Sequence, residues 1–271
     1  MIYDDVISAL NGVKRVEQKA AAIAGDDIEP LRITATSAFI CGIVARSLAA
    51  LPSRSDRTLL RSAAPEQVVH EVISGAAHLG ISSLPLDHSG VKLHWIASAP
   101  CVVAVPSDSP LAEQVLVSER DLNAYLPITM ANPYRLRQRL QASLPAWFDS
   151  SALIETNSSV NALCAVKAGL GVAILEPFTC RGLELKGVSI RPLDIHIPFH
   201  FGVITLQDRQ LSPMVKTVIE SLKKRHRRSP AFSATRFLNI EKFCMSCTAM
   251  RYPTRCHNEY SSRSSCRSGL A

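Results

Sequence analysis

Along residues 3–24 apolar side chains return every three or four positions: Val6, Leu10, Val13, Val16, Ala20 and Ile23. That spacing predicts an amphipathic helix, with Asp4, Asp5, Lys14, Arg15, Glu17 and Lys19 mostly off the stripe. Gly25 ends the pattern and Pro30 punctuates the next start. A stripe this narrow must pack on something. Its own domain and a helix of a partner chain are both open at this point.

From Leu31 the period changes to strand–helix alternation. Strands are predicted at Leu31 to Thr36, Arg57 to Ser62 and His78 to Ser83, with helices at Ala38 to Leu51 and Pro65 to Ser74. Pro65 suits a first helical turn and Gly75 a C-terminal stop. This βαβαβ run implies a parallel sheet with helices on its faces. Two extended segments follow, Leu93 to Ser98 and Cys101 to Pro106. A second alternation then begins: strands at Leu126 to Met130, Ala152 to Glu155 and Gly171 to Leu175, with helices at Tyr134 to Ser143 and Val160 to Ala168. A strand at Phe199 to Leu206 and a helix at Ser212 to His226 close the pattern. The segments Ile73–Ile81 and Val166–Val172 echo each other, each a helix end, a glycine and an immediate buried strand. The reading is an α/β protein of two similar Rossmann-like lobes with a cleft between them.

The chain has 271 residues, 47% hydrophobic and 20% charged, enough to bury a sizeable core. Its net charge of +7 is misleading until it is located. From Lys223 onward there are 11 Lys/Arg against 2 Asp/Glu, whereas residues 1–222 carry 19 against 21. The folded part is close to neutral, so the overall charge is no argument for nucleic acid binding. No run of about 18 uninterrupted apolar residues occurs, which predicts no transmembrane span. Met1-Ile2-Tyr3-Asp4-Asp5 is acidic and lacks the basic start of a secretory signal, so a cytoplasmic protein is expected. Cys41, Cys101, Cys164 and Cys180 are widely spaced in apolar surroundings and read as reduced core residues.

Ligands of open α/β sheets bind beyond the carboxyl ends of strands, where helix N-termini point. Those edges hold Thr36 and Ser37, then Ala63 and Ala64, then Ser82 and Ser83 in the first half. In the second half they hold Met130, Ala131 and Asn132, then Thr156 to Ser159, then Glu176 and Pro177. Hydroxyls, amides and free backbone N–H groups suit a small anionic or zwitterionic molecule. Plain helix capping explains any one of them, and convergence from two lobes is what favours binding. Thr36, Ser37, Ala64, Ser82, Met130, Asn132, Ser158 and Glu176 are therefore the expected ligand-binding residues. Glu176 reads either as a base or as a counter-charge to a ligand amine. Arg135, Arg137 and Arg139 span more than one helical face. They read as solvated arginines, with the alternative that one guanidinium clamps a carboxylate.

Catalysis is not expected. The chain has no Gly-x-Ser-x-Gly elbow, no Gly-x-Gly-x-x-Gly after the first strand and no His-Glu-x-x-His. His70, His78, His88 and His94 lack metal-ligand spacing, and His196 and His200 sit in extended chain. Neither a cofactor nor a metal is expected. From Ala231 the composition turns to Ser, Arg and Cys without a period, so residues 231–271 are expected to be a disordered tail. Cys244, Cys247, Cys256 and His257 resemble a zinc knuckle only loosely, with few apolar residues to pack round an ion. The run Lys223 to Arg228 reads as solvated charge at a helix end, where it suits the helix dipole.

From Tyr3 to Arg228 the chain resembles the effector-binding part of LysR-type transcriptional regulators. The features in order are a helix ending near Gly25, Leu31-Arg32-Ile33-Thr34-Ala35-Thr36, and Val68 to Gly75 leading into Leu79-Gly80-Ile81. Then come Val103 to Ala112 and Val166 to Leu175, the two most specific segments. Asn132 to Arg137 is similar to the branch answering to opines and basic amino acids. The resemblance implies two lobes of the periplasmic-binding-protein (type 2) kind with an inducer between them, and effector contacts at Thr36, Ser37, Ser82, Met130 and Asn132. It also implies a linker helix that pairs with another subunit's. The implied organisation is a linker and dimerisation helix at 1–28, one effector lobe at 31–102 plus 204–230, and a second at 103–203. The implied partners are a small effector (an amino acid, opine or other carboxylate) and further copies of the chain, as a homodimer or tetramer. A winged helix-turn-helix is expected ahead of such a linker helix and is not in this sequence, so DNA contact is expected only if that domain is supplied from elsewhere. Glu176 precedes Pro177 where the family more commonly has an apolar residue. A periplasmic-type solute-binding protein and a regulator remnant are the competing readings.

Overall fold

The computed structural model describes Val13 and residues 30–52, 57–84, 90–131, 136–148, 153–228 and 236–238. Apart from Val13, the expected linker helix lies outside the described residues. So do Asn132, Arg135 and the cysteines and His257 of the tail.

Two separate sheets are present, each with helices on its faces. The first begins with β1 (Leu31–Ala35). Helix α1 follows in three segments, Ser37–Phe39, a π-helical Ile40–Val44 and Ala45–Ala49. Then come β2 (Thr58–Ser62), α2 (Pro65–Ile73), β3 (Leu79–Ser83) and the long β4 (Val91–Pro100). The chain crosses to the second sheet through Cys101. There it forms β5 (Val102–Pro106), a 3-10 turn at Pro110–Glu113, α3 (Glu119–Leu122) and β6 (Pro127–Met130). Helices α4 (Leu136–Ser143) and α5 (Pro145–Phe148), β7 (Ile154–Thr156), α6 (Ser159–Lys167) and β8 (Val172–Leu175) follow. Helix α7 (Pro177–Gly182) and β9 (Val188–Pro192) complete this lobe. The chain returns as β10 (Pro198–Leu206), α8 (Pro213–Arg228) and β11 (Arg236–Leu238).

The strand orders are β11-β4-β10-β3-β1-β2 and β7-β6-β8-β5-β9. The βαβ units pair in parallel as their periodicity predicts: β1 with β2 and β3, and β6 with β7 and β8. Neither sheet is purely parallel. The crossing strands β5 and β10 join antiparallel, because a chain that passes between lobes without a crossover helix runs against the βαβ strands there, while β4, on the far side of β10, runs with them. The sequence-based border at 203/204 cuts through β10, which pairs over its whole length with β4. Arg236–Leu238, expected within a structureless tail, pairs with β4 instead, and Phe237 meets Trp95 at 5.6 Å. A three-residue strand has no detectable period, so composition alone misses it.

The helix stops come out as their glycines predict. Gly75 and Gly169 take φ of 69° and 75°, the left-handed region open to glycine. The Gly169 and Leu170 amides donate to Val166 and Ala165, closing α6 in a Schellman arrangement. Gly171 is needed for space instead, since a Cβ there would lie 2.2 Å from the Leu126 carbonyl oxygen. Elements missed from the sequence are short: α3, α5, α7 and β9. Helix α7 had a signal, an acid followed by proline at the first turn.

One apolar cluster runs through both lobes. At its centre the ring of Phe178 of α7 lies 5.1 Å from that of Phe39 in α1, tilted, and 4.7 Å from that of Phe201 in β10, edge-on. The two lobes meet through backbone as well. A Cβ on Gly42 would fall 2.7 Å from the Phe178 carbonyl oxygen, and one on Gly182 would fall 2.4 Å from the Cys41 carbonyl. Glycine in the π-helical turn of α1 thus faces glycine-bearing α7 at contact that no side chain permits. The two crossings are also tied, Cys101 N–H donating to Ile197 at 2.9 Å.

Candidate functional site

The carboxyl ends of β1 and β3 and the starts of α1, α6 and α7 lie on the same seam. Thr36 precedes α1 in extended backbone, and its amide donates to Ile81 at 3.3 Å, which puts it beside Ser82. Its side chain makes no capping bond to α1. Ser37–Phe39 packs directly on α6 and α7 of the other lobe. On that side Thr156 Oγ1 donates to the Ser158 carbonyl at 3.1 Å and lies 3.9 Å from Met130 Sδ. Ser158 caps α6, accepting from the Asn161 amide at 3.2 Å. Thr36, Ser37 and Ser82 thus stand together in one lobe, and Met130 and Ser158 stand together round Thr156 in the other. Ala64 lies one strand further out: the neighbouring Ala63 amide reaches the Ala35 carbonyl, and Ala64 itself is exposed at the start of α2.

Glu176 is not placed as a solvent-facing base. It is 2% exposed and caps α7. One carboxylate oxygen accepts from the Phe178 and Thr179 amides at 2.8 and 3.0 Å, and the other from Thr179 Oγ1 at 2.6 Å. Ser159, the first residue of α6, bonds the same carboxylate. Burial pushes its pKa above the usual carboxylate range, and the hydrogen bonds from Ser159, Thr179 and Phe178 oppose that rise.

Among the described residues several buried hydroxyls have no hydrogen-bond partner. Ser82 Oγ and Thr129 Oγ1 are two that stand at strand ends of this seam. A buried hydroxyl left unpaired costs about 1–3 kcal/mol, so each of the two would gain from a hydrogen-bonding partner. Thr129 was not singled out from the sequence. Its signal was a polar residue inside an otherwise apolar strand.

The three arginines of the second lobe divide. Arg137 pairs with Glu155. Arg139 reaches across the seam, donating to the Pro198 carbonyl at 2.8 Å and the Leu84 carbonyl at 3.5 Å. It is part-buried rather than solvated and ties the lobes together. Close by, His200 has its pKa lowered to about 4 by burial, helped by Arg139 and His196, so it is neutral at pH 7.

Cys101 and Cys180 are buried and reduced as expected; Cys41 is half-buried, and Cys164 is exposed on α6 against expectation. The α6 stripe that packs is Ala162, Leu163 and Val166, and Cys164 falls on its solvent side. Burial, and then the charge of Glu176, push the Cys41, Cys101 and Cys180 thiols up, Cys180 to about 12. They are held protonated and are poor nucleophiles. No cluster of three or more potential metal ligands occurs among the described residues.

Comparison with known proteins gives this geometry a family. The model of the LysR substrate binding domain matches residues 24–227. Regulatory protein NocR of Agrobacterium tumefaciens (strain T37) is 25% identical over 233 residues, covering 82% of this chain and 77% of the relative. The octopine catabolism/uptake operon regulatory protein OccR of Rhizobium meliloti is 25% identical over 221 residues, covering 81% and 72%. The effector binding domain of QuiR in complex with shikimate superposes with a TM-score of 0.58 at 14% identity, covering 73% of this chain and 97% of that one. That likeness assigns the two-lobed fold of type 2 periplasmic binding proteins. The chain belongs to the LysR-type transcriptional regulators and carries their effector-binding domain.

Proposed function

We propose that this domain senses an amino acid, an opine or a related small carboxylate held in the seam between its lobes. The observation that carries the reading is the packing of Ser37–Phe39, preceded by the non-capping Thr36, on α6 and α7; unpaired Ser82 in one lobe and Met130, Thr129 and Ser158 in the other support it. Donors left over from helix starts and strand ends favour a carboxylate. Ala64, exposed at the start of α2, forms the outer edge of this rim. Glu176 shapes the pocket through α7. The similarity to an octopine catabolism/uptake operon regulatory protein supports the opine class.

Effector binding works by differential affinity: a ligand touching both lobes favours the arrangement in which both sets of groups reach it. The α1–α7 backbone contact then acts as the fulcrum, and the change is read out by subunit packing in a homo-oligomer formed through helix 1–28 and the lobes. Binding rather than catalysis fits protonated thiols and a buried, fully bonded Glu176. No helix among the described residues is long and apolar enough to cross a membrane, which fits a cytoplasmic regulator.

The test is a thermal-shift screen of amino acids, opines, aromatic acids and dicarboxylates, followed by calorimetry on any hit. A saturable rise for an amino acid or opine, lost in Thr36→Val, supports the reading. No response to any of these compounds overturns it. Light scattering at tens of micromolar tests self-association, and a clean monomer counts against the regulator assembly.

A further inference from the structure

Helix α8 outlasts the core that holds it. Its buried stripe is Val215, Val218, Ile219 and Leu222. It packs on α1, where Ser221 Oγ donates to the Ser47 carbonyl at 3.1 Å. The next positions on that stripe are 225 and 226, and they hold Arg225 and His226 instead of apolar residues. The helix nevertheless runs on from Lys223 to Arg228, a length of about 9 Å. Five of those six residues are Lys or Arg, and the sixth is His226. Glu220, one turn before Lys224, is the nearest acid along the chain, and the next one onward is Glu241. Among the described residues no carboxylate pairs with Lys223 or Lys224. A cation or two in the last turn suits the helix dipole, but this run goes further. Lys223 and Arg227, Lys224 and Arg227, Lys224 and Arg228, and Arg225 and Arg228 are like charges three or four positions apart, which destabilises a helix. At 3.6 residues per turn, six consecutive positions go all the way round, so no single face of the domain could neutralise them.

We propose that the end of α8, residues 223–228, docks on the phosphate backbone of duplex DNA and holds it without regard to base sequence. Duplex DNA carries about one negative charge per 1.7 Å of its axis, so about five phosphates stand in the length over which α8 sets five cations. Three of the five are arginines, whose guanidinium groups suit phosphate oxygens. Binding relieves the repulsion within the helix end, which is what an anionic partner contributes here. A membrane surface asks instead for an apolar face beside the charges. Residues 223–228 have none, because the apolar stripe of α8 stops at Leu222, which is spent on the core at 1% exposure. The remainder of the two-lobed domain is close to neutral, so the attraction is local to this helix end.

Fluorescence anisotropy of the full chain with a labelled duplex of about 25 base pairs and random sequence tests this. With about three phosphates neutralised, the dissociation constant is on the order of 10 µM at about 50 mM sodium chloride and weakens about 40-fold by about 200 mM. Glutamine is a good helix former, so Lys223→Gln, Lys224→Gln, Arg225→Gln, Arg227→Gln and Arg228→Gln together leave the melting temperature unchanged or higher, and duplex binding is lost. A control variant removes as much charge from exposed positions elsewhere: Lys92→Gln, Arg120→Gln, Lys167→Gln, Lys186→Gln and Lys216→Gln. Distant exposed charges are screened, so this control keeps its affinity within about threefold. No duplex binding by the wild type, binding retained in the first variant, or equal losses in both variants overturns the proposal. Tighter binding to vesicles of phosphatidylserine and phosphatidylcholine than to the duplex overturns it as well.

Discussion

The contact of α1 with α7 is a close backbone approach between lobes, and replacing Gly182 by alanine tests it. The added Cβ would lie 2.4 Å from both the carbonyl carbon and oxygen of Cys41 and 2.8 Å from its Cβ. Ordinary contact begins near 3.5 Å, so α7 must back away by about 1 Å at that point. Overpacking of this kind costs about 1–3 kcal/mol. Alanine's better helix propensity returns less than about 1 kcal/mol, because Gly182 is the last residue of its helix. A net loss of about 1–2 kcal/mol is expected. Gly42→Ala meets the Phe178 carbonyl oxygen at 2.7 Å and stands inside α1, so it should lose less. Both changes push the same two helices apart, and the double variant should be less destabilised than the sum by about 0.5–1 kcal/mol. Urea unfolding followed by tryptophan emission suits the measurement, since the chain's two tryptophans report one from each lobe. Trp95 is buried in β4 and Trp147 in α5. Strict additivity, or a Gly182→Ala midpoint equal to wild type, would refute backbone contact between the lobes.

Ser82→Ala should split stability from binding: removing an unpaired buried hydroxyl leaves the free protein equal or up to about 1 kcal/mol more stable, while effector affinity falls about tenfold. Calorimetry beside urea melts reads both, and a loss of stability without a loss of affinity would contradict the site. His200, at about 4 when folded against about 6.5 unfolded, binds fewer protons in the native state between those values. Stability is therefore complete above pH 6.5 and declines as pH falls toward 4, by about 1–2 kcal/mol once partial exposure is allowed for. His200→Gln should flatten that slope in urea midpoints taken at pH 7 and pH 5, and an unchanged slope would remove His200 from the account. Gly171→Ala, with its Cβ 2.2 Å from the Leu126 oxygen, should cost about 2–3 kcal/mol and lower the melting temperature without touching the effector seam.

Much of the fold was legible because periodicity is a local property. The strands at Leu31–Ala35, Thr58–Ser62, Leu79–Ser83 and Val172–Leu175 stand where alternation and glycine punctuation place them. Short elements escaped, since α7 and β11 offer too few residues for a period. Strand-end positions were legible by rule, and their differing fates were not. Ser82 is unpaired, Ser158 is a cap, and Glu176 is sealed beneath a helix start.

By itself the sequence determined the two alternating βα halves, the left-handed turns at Gly75 and Gly169 and the family to which they point. Each follows from neighbours along the chain. Tertiary structure alone decided that Gly42 meets α7, that Arg139 bridges the lobes and that Glu176 lies where three helices start. Those facts depend on residues more than a hundred positions apart, or on opposite sheets, arriving at one place. No local pattern encodes the distance between two helices that only packing brings together.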